Sequence, residues 1–255
     1  MKRRADEPFI REVVLLRDKV QEWSKYPFAI PAVRHLESLA LHPQVTFLVG
    51  ENGSGKSTLV EAIAIAAGFN PEGGSQNFHF ATKESESPLH SCLRVVRGAR
   101  RPKTGFFLRA ESFFNVASEV ERLDKIVGGL LESYGGKSPH EQSHGESFMA
   151  LVINRFGADG LYILDEPEAA LSPQRQLSLL AEFDRLARKD RSQLVVATHS
   201  PILLAYPHAQ IYSLTTEGLA EVEYEQTEHF WLTRDFLMNR ERYLRRLFKE
   251  GESEE

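Results

Sequence analysis

Short β-rich runs alternate along the chain with segments whose apolar positions recur at helical spacing. Val45-Thr46-Phe47-Leu48-Val49 is a run of strand formers that ends at Gly50. The period then changes: Leu59, Ile63 and Ala66 fall on one face of a helix starting near Lys56, and Gly68 is a stop signal. Leu93 to Val96 and Gly105 to Leu108 read as two strands joined by a Gly/Pro-containing loop. Residues 115–134 read as one or two helices broken near Gly128-Gly129, residues 134–145 as a polar loop, and Glu146 to Phe156 as a helix. Leu161 to Leu164 and Leu194 to Ala197 are continuous apolar runs suited to buried strands. Between them Pro173 to Lys189 reads as a helix, with Ser172 as N-cap and Pro173 in the first turn. Ile211 to Leu214 and Leu219 to Tyr224 form an expected hairpin turning at Glu217-Gly218, and Phe236 to Phe248 carries one apolar helical face. The alternation predicts an α/β fold.

Composition adds boundaries rather than detail. The 255 residues are 42% hydrophobic and 26% charged, which excludes wholesale disorder and fibrous architecture. Cys92 is the single cysteine, so no internal disulfide scaffold exists and a reducing compartment is expected. No apolar run approaches the ~20 residues a membrane span needs. Ala5-Asp6-Glu7-Pro8 follows the basic start where a signal core would stand, so a cytoplasmic protein is expected. The net charge of −5 does not imply a nucleic-acid binder. Charge is uneven, however: Arg94, Arg97, Arg100, Arg101, Lys103 and Arg109 lie in a stretch with no acid. On a hairpin such a stretch could track phosphates or simply be a solvated face.

Gly50-Glu51-Asn52-Gly53-Ser54-Gly55-Lys56-Ser57 has the P-loop spacing, with a strand before it and a helix after it. The glycines let the backbone curl so that N–H groups of Asn52, Gly53, Ser54 and Gly55 can face phosphate oxygens. The following helix turns its positive end to the same anion. Lys56 is expected at the β- and γ-phosphates, Ser57 on Mg²⁺ and Thr58 at the α-phosphate. The run Leu161-Tyr162-Ile163-Leu164-Asp165-Glu166 then places two carboxylates at the end of a buried strand, where open α/β sheets bind ligands. Asp165 is the expected metal carboxylate and Glu166 the general base on an attacking water.

Leu164-Asp165-Glu166-Pro167 resembles the second nucleotide motif of ABC-type ATPases, and the resemblance runs from about residue 9 to 224 in the family's order. Ser143-His144-Gly145-Glu146 is similar to the signature segment, with Gln142 in place of the preceding leucine, His144 in place of a glycine and Glu146 in place of glutamine. The same residues also spell a capping box, and both readings can hold. Ser172 stands where the D-loop has aspartate. Ala197-Thr198-His199-Ser200-Pro201 is similar to the switch-histidine segment, which puts His199 at the γ-phosphate. Glu111 is the candidate for the glutamine-loop position and a metal contact, with Gln76 as runner-up; Tyr26 and Phe28 are candidates for the adenine.

The resemblance implies a single ABC-type head: a mixed sheet, an antiparallel β-subdomain and a small helical subdomain. Residues 1–110 and 150–230 would form the nucleotide core, 111–149 the helical and signature part, and 231–255 a C-terminal helix and acidic tail. It implies ATP and Mg²⁺ as ligands, with Ser143, Gly145 and Glu146 closing over the partner's nucleotide in a head-to-tail homodimer. The wording resembles small stand-alone bacterial ATPases near the RecF and SMC group. The implied role is a switch acting on DNA or on a partner protein in genome maintenance or defence. A transporter's nucleotide-binding subunit and an ATP-sensing regulator of a separate nuclease or toxin are the alternatives. His79, His90 and His140 are scattered and suggest no metal site. The C-terminal segment, rich in arginine, is expected to pack its apolar stripe on the body.

Overall fold

The computed structural model describes residues 7–75, 87–110 and 143–248, with Phe113, Ser118, Arg122 and Gly128. Its elements are β1 (Ile10–Leu15), α1 (Pro31–Arg34), β2 (Ser38–Ala40), β3 (Val45–Val49), α2 (Lys56–Ala67), β4 (Gly74–Ser75), β5 (Leu93–Arg97) and β6 (Thr104–Arg109). There follow α3 (His144–Arg155), β7 (Gly160–Asp165), α4 (Pro173–Asp184), β8 (Gln193–Ala197), α5 (Pro201–Leu204), β9 (Ala209–Thr215), β10 (Gly218–Val222), α6 (Glu228–Met238) and α7 (Arg240–Phe248).

Among the described residues, seven strands form one sheet in the order β10-β9-β3-β8-β7-β6-β4. The five from β9 to β6 are mutually parallel, and the antiparallel β10 and β4 flank them. A second, antiparallel sheet has the order β2-β1-β5. The mixed sheet and the antiparallel subdomain of the expected α/β fold are therefore both present.

Two cores follow from strand alternation. Leu48, Ile163 and Val195 point to the face where Leu59 and Ile63 of α2 meet the small sheet. Phe47, Tyr162, Leu164 and Val196 point to the face covered by α3, α4 and α5 through Phe148, Leu179, Phe183 and Leu203. α2 is thus clamped between the sheets, which fixes the loop that precedes it. Gln193 ties the N-terminal strand to the main sheet. Its buried carbonyl accepts from the Phe9 and Ile10 N–H groups at 2.9 Å, and its amide donates to the Ile10 and His42 carbonyls. Every hydrogen-bonding valence of this buried amide is filled.

Two expectations are corrected. The strands at 93–97 and 104–109 are not a hairpin: β5 pairs with β1 in the small sheet, whereas β6 pairs with β4 and β7 in the large one. The basic residues between them serve as struts. Arg97 donates to the Ala67 carbonyl, while Arg100 and Lys103 converge on Asp159, which Arg191 also reaches. Likewise the C-terminal segment is two helices, α6 and α7, broken at Asn239, and its apolar stripe is only partly covered: Phe236, Tyr243 and Leu244 are half-buried, with Phe236 against Tyr243. Leu237, Met238, Leu247 and Phe248 are each at least 66% exposed. Glu111, Gln76, His79, His140 and most of the expected helical subdomain lie outside the described residues.

Candidate functional site

The site is assembled at the C-terminal ends of β3, β7 and β8. After β3 the chain turns through Gly53 (φ 81°) and Gly55 (φ 96°) into α2. Both φ values lie in the left-handed region that favours glycine. A side chain at Gly55 would also meet Ile30 at 2.8 Å. The Lys56 side chain is folded back into the loop, donating to the Gly50 carbonyl at 2.9 Å and the Glu51 carbonyl at 3.0 Å. Lys56 is buried, which pulls its pKa down, while the charges of Glu166, Asp165 and Glu168 pull the other way.

β7 ends in Asp165, buried beside Arg109 of the neighbouring strand. Glu166 follows in a left-handed conformation, φ 50°, uncommon for a residue with a side chain and of the kind that marks functional sites. Its N–H is held by the Ala197 carbonyl at 2.9 Å, locking the turn after β7 to the end of β8. A cavity of about 250 Å³ opens here, lined by Ser57, Arg109, Asp165, Glu166 and His144 among others. Sequence motifs more than a hundred residues apart thus share one hollow.

His199 leaves the end of β8. Its Nε2 lies 3.4 Å from a Glu166 carboxylate oxygen, and its Nδ1 lies 2.9 Å from Nε2 of His229 in the first turn of α6. Its backbone N–H donates to the Glu168 carboxylate at 2.5 Å. Burial raises the pKa of Glu168. The second cavity, about 440 Å³, lies between the P-loop, the end of β9 and the start of α6, with His229 on its wall.

The signature candidate opens α3. Its capping box is closed: the Glu146 carboxylate accepts from the Ser143 N–H at 3.0 Å. Arg175 of α4 bridges the pair, donating to Ser143 Oγ at 3.2 Å and to Glu146 at 3.0 Å. Gly145 is tightly enclosed, since a side chain there would meet Arg175 at 2.5 Å and the Ala170 carbonyl at 2.9 Å. Ser172 caps α4 by accepting from the Arg175 N–H. Of the two adenine candidates, Phe28 is buried against Trp23, whereas Tyr26 is 65% exposed with its hydroxyl 3.0 Å from Thr58 Oγ1.

Sequence reading missed His229 and Arg175 at this site. Each reaches its partner only through tertiary packing, and neither belongs to a local motif. Among the described residues no group of three or more His, Cys, Asp or Glu side chains could hold a metal. The donors that are present, one hydroxyl and one carboxylate, fit a hard ion that takes its remaining ligands from substrate phosphates and water.

Two family models match, "AAA domain" over residues 25–104 and "AAA domain, putative AbiEii toxin, Type IV TA system" over residues 137–205. Together they bracket the phosphate loop and the Asp165–His199 half of the site. Over these two stretches the chain is similar to AAA-type ATPase domains. It is 25% identical over 214 residues to the energy-coupling factor transporter ATP-binding protein EcfA2 of Methanospirillum hungatei, covering 76% of this chain and 51% of that protein. It thus spans about half the length of that relative. It is 24% identical to the thiamine import ATP-binding protein ThiQ of Histophilus somni, over 60% of this chain and 74% of the relative. Among solved structures it resembles the SMC head domain from Thermotoga maritima, with a TM-score of 0.44 and 14% identity over 84% of this chain and 98% of that one. It also resembles cbiO1 from Clostridium perfringens, part of the cbiONQ transporter complex, with a TM-score of 0.46 and 15% identity over 83% and 91%. No helix among the described residues is long and apolar enough to cross a membrane.

Proposed function

We propose that this ABC-type domain binds ATP with Mg²⁺ and hydrolyses it at a site completed by a second copy of the chain. The observation that carries the reading is the convergence of Ser57, Asp165, Glu166 and, through Glu166, His199 on one cavity beside Lys56. Asn52, Gly53, Ser54 and Gly55 would present N–H groups to the phosphates, and Lys56 would exchange its two loop carbonyls for phosphate oxygens. Thr58 and Tyr26 lie together on the side where the nucleoside would follow. Glu166 would take the proton of the attacking water, and His199 Nε2 would donate to the γ-phosphate. Ser57 and Asp165 would hold the metal, which when bound neutralises phosphate charge.

Ser143, Gly145 and the N–H groups at the start of α3 would close over the nucleotide of a partner copy, with Arg175 adding a positive charge next to Ser143. ATP would then hold two copies together, and its hydrolysis would release them. Of the two proposed targets, a partner protein is favoured over DNA. Arg97, Arg100, Lys103 and Arg109 are occupied within the fold, whereas α6 runs from the site at His229 to exposed Leu237 and Met238. The test is phosphate release from ATP. Wild type should turn over, Glu166→Gln should bind ATP but not hydrolyse it, and Lys56→Ala should lose binding. Equal turnover by wild type and Glu166→Gln would remove the reading.

A further inference from the structure

We propose that His229 is a positioning residue that selects the tautomer of His199, donating its Nε2–H to His199 Nδ1 so that the His199 proton resides on Nε2. The inference rests on the reading above, in which His199 serves the hydrolytic site. It begins from a neutral imidazole having one donor and one acceptor nitrogen. His199 Nε2 is buried, has no hydrogen-bond partner, and faces the Glu166 carboxylate at 3.4 Å. A bare lone pair turned toward a carboxylate is repelled, whereas an N–H is attracted. The proton therefore belongs on Nε2, which leaves Nδ1 as an acceptor. The group at 2.9 Å from Nδ1 is His229 Nε2, and it must carry the hydrogen of that bond. The alternative assignment, with the proton on His199 Nδ1, would turn a lone pair to Glu166 and to any phosphate in its place.

The location of His229 suits this task. It sits in the first turn of α6, two residues after the N-cap position Thr227, a buried residue whose hydroxyl donates to the Tyr224 carbonyl. The charged and titratable groups that act on it are His199, Lys56 and Glu51; burial and the first two lower its pKa, the direction that favours the neutral ring a donor–acceptor pair requires. A histidine in which one nitrogen is fixed by an outer partner and the other does the chemistry is a recurring device.

Isosteric variants separate this role from simple packing. In His229→Gln the side-chain amide can place an N–H where Nε2 was. In His229→Glu the carboxylate can only accept, which draws the proton to His199 Nδ1. The Gln variant should retain turnover within a few-fold, while the Glu variant should lose about 10- to 100-fold in kcat with ATP affinity unchanged. Nitrogen-15 spectra of His199 read the tautomer directly and do not depend on activity. Wild type and His229→Gln should show the proton on Nε2, and His229→Glu a shift of it to Nδ1. A wild-type proton on Nδ1, or identical kcat and spectra in the Gln and Glu variants, overturns the proposal. If His199→Ala hydrolyses ATP as wild type does while the spectra follow the predicted pattern, the role of His199 in hydrolysis falls and the tautomer assignment stands.

Discussion

Arg109 and Asp165 are register partners at the ends of parallel strands β6 and β7, and Arg109 Nε lies 3.6 Å from the Asp165 carboxylate. The same guanidinium donates to Glu61 of α2 at 2.7 Å. One cation therefore serves two carboxylates, each less than 15% exposed at the side chain. Removing one partner of a buried pair leaves uncompensated charge, at a cost of about 3–5 kcal/mol. Arg109→Met should lower the unfolding free energy from chemical denaturation by up to that amount, and adding Glu61→Gln should restore part of it. Additive losses in the double variant would show that the three groups do not act as a unit.

Asp159 is the equivalent hub at the opposite end of the strands, just before β7. It pairs with Arg100, Lys103 and Arg191, and hydrogen bonding from Lys103 is the largest cause holding its carboxyl below the ordinary range. Asp159 also has φ 54°, a conformation that Asn tolerates. Asp159→Asn therefore isolates the charge, and it should cost about 1–3 kcal/mol in chemical denaturation. Lys103→Ala should cost at most about 1 kcal/mol, because that lysine is 78% exposed.

Ser143 is asked to do two things, and the two can be separated. Ser143→Ala removes an N-cap, which typically costs about 1 kcal/mol of stability. Ser143→Arg should abolish ATP hydrolysis while leaving ATP binding to the same chain's P-loop intact, measured by fluorescent-nucleotide titration. Full hydrolysis by Ser143→Arg would exclude the start of α3 from the composite site.

His42 and His229 are both held below the usual imidazole value of 6.5, burial being the largest cause for each. For a base with a depressed folded pKa, the unfolded chain takes up protons first. Stability contributed by the neutral rings is complete above pH 6.5 and is lost as pH falls from there through the folded values. Denaturant midpoints should decline across that window, and less steeply in His42→Gln. A midpoint independent of pH between 7 and 5 would contradict it.

The phosphate loop, Asp165, Glu166 and His199 were legible because each is local: a strand, its last residues and the turn that follows. β3, α2 with its Gly68 cap, β7, β8 and the late hairpin were read for the same reason. The pairing of β5 and β6 was misread because adjacency in sequence suggested a hairpin, whereas the choice between sheets is made by distant β1 and β7. The β1 strand and the break at Asn239 carry no strong local signal. His229 is invisible to a motif search, since only the docking of α6 brings it to His199.

The central claim is a triphosphate shared between the P-loop of one copy and the start of α3 of another. Light-scattering mass of the Glu166→Gln variant tests it most directly. The account predicts 28.9 kDa without nucleotide or with ADP, and twice that mass with ATP and Mg²⁺. A mass that stays at 28.9 kDa while ATP is shown to be bound would contradict it.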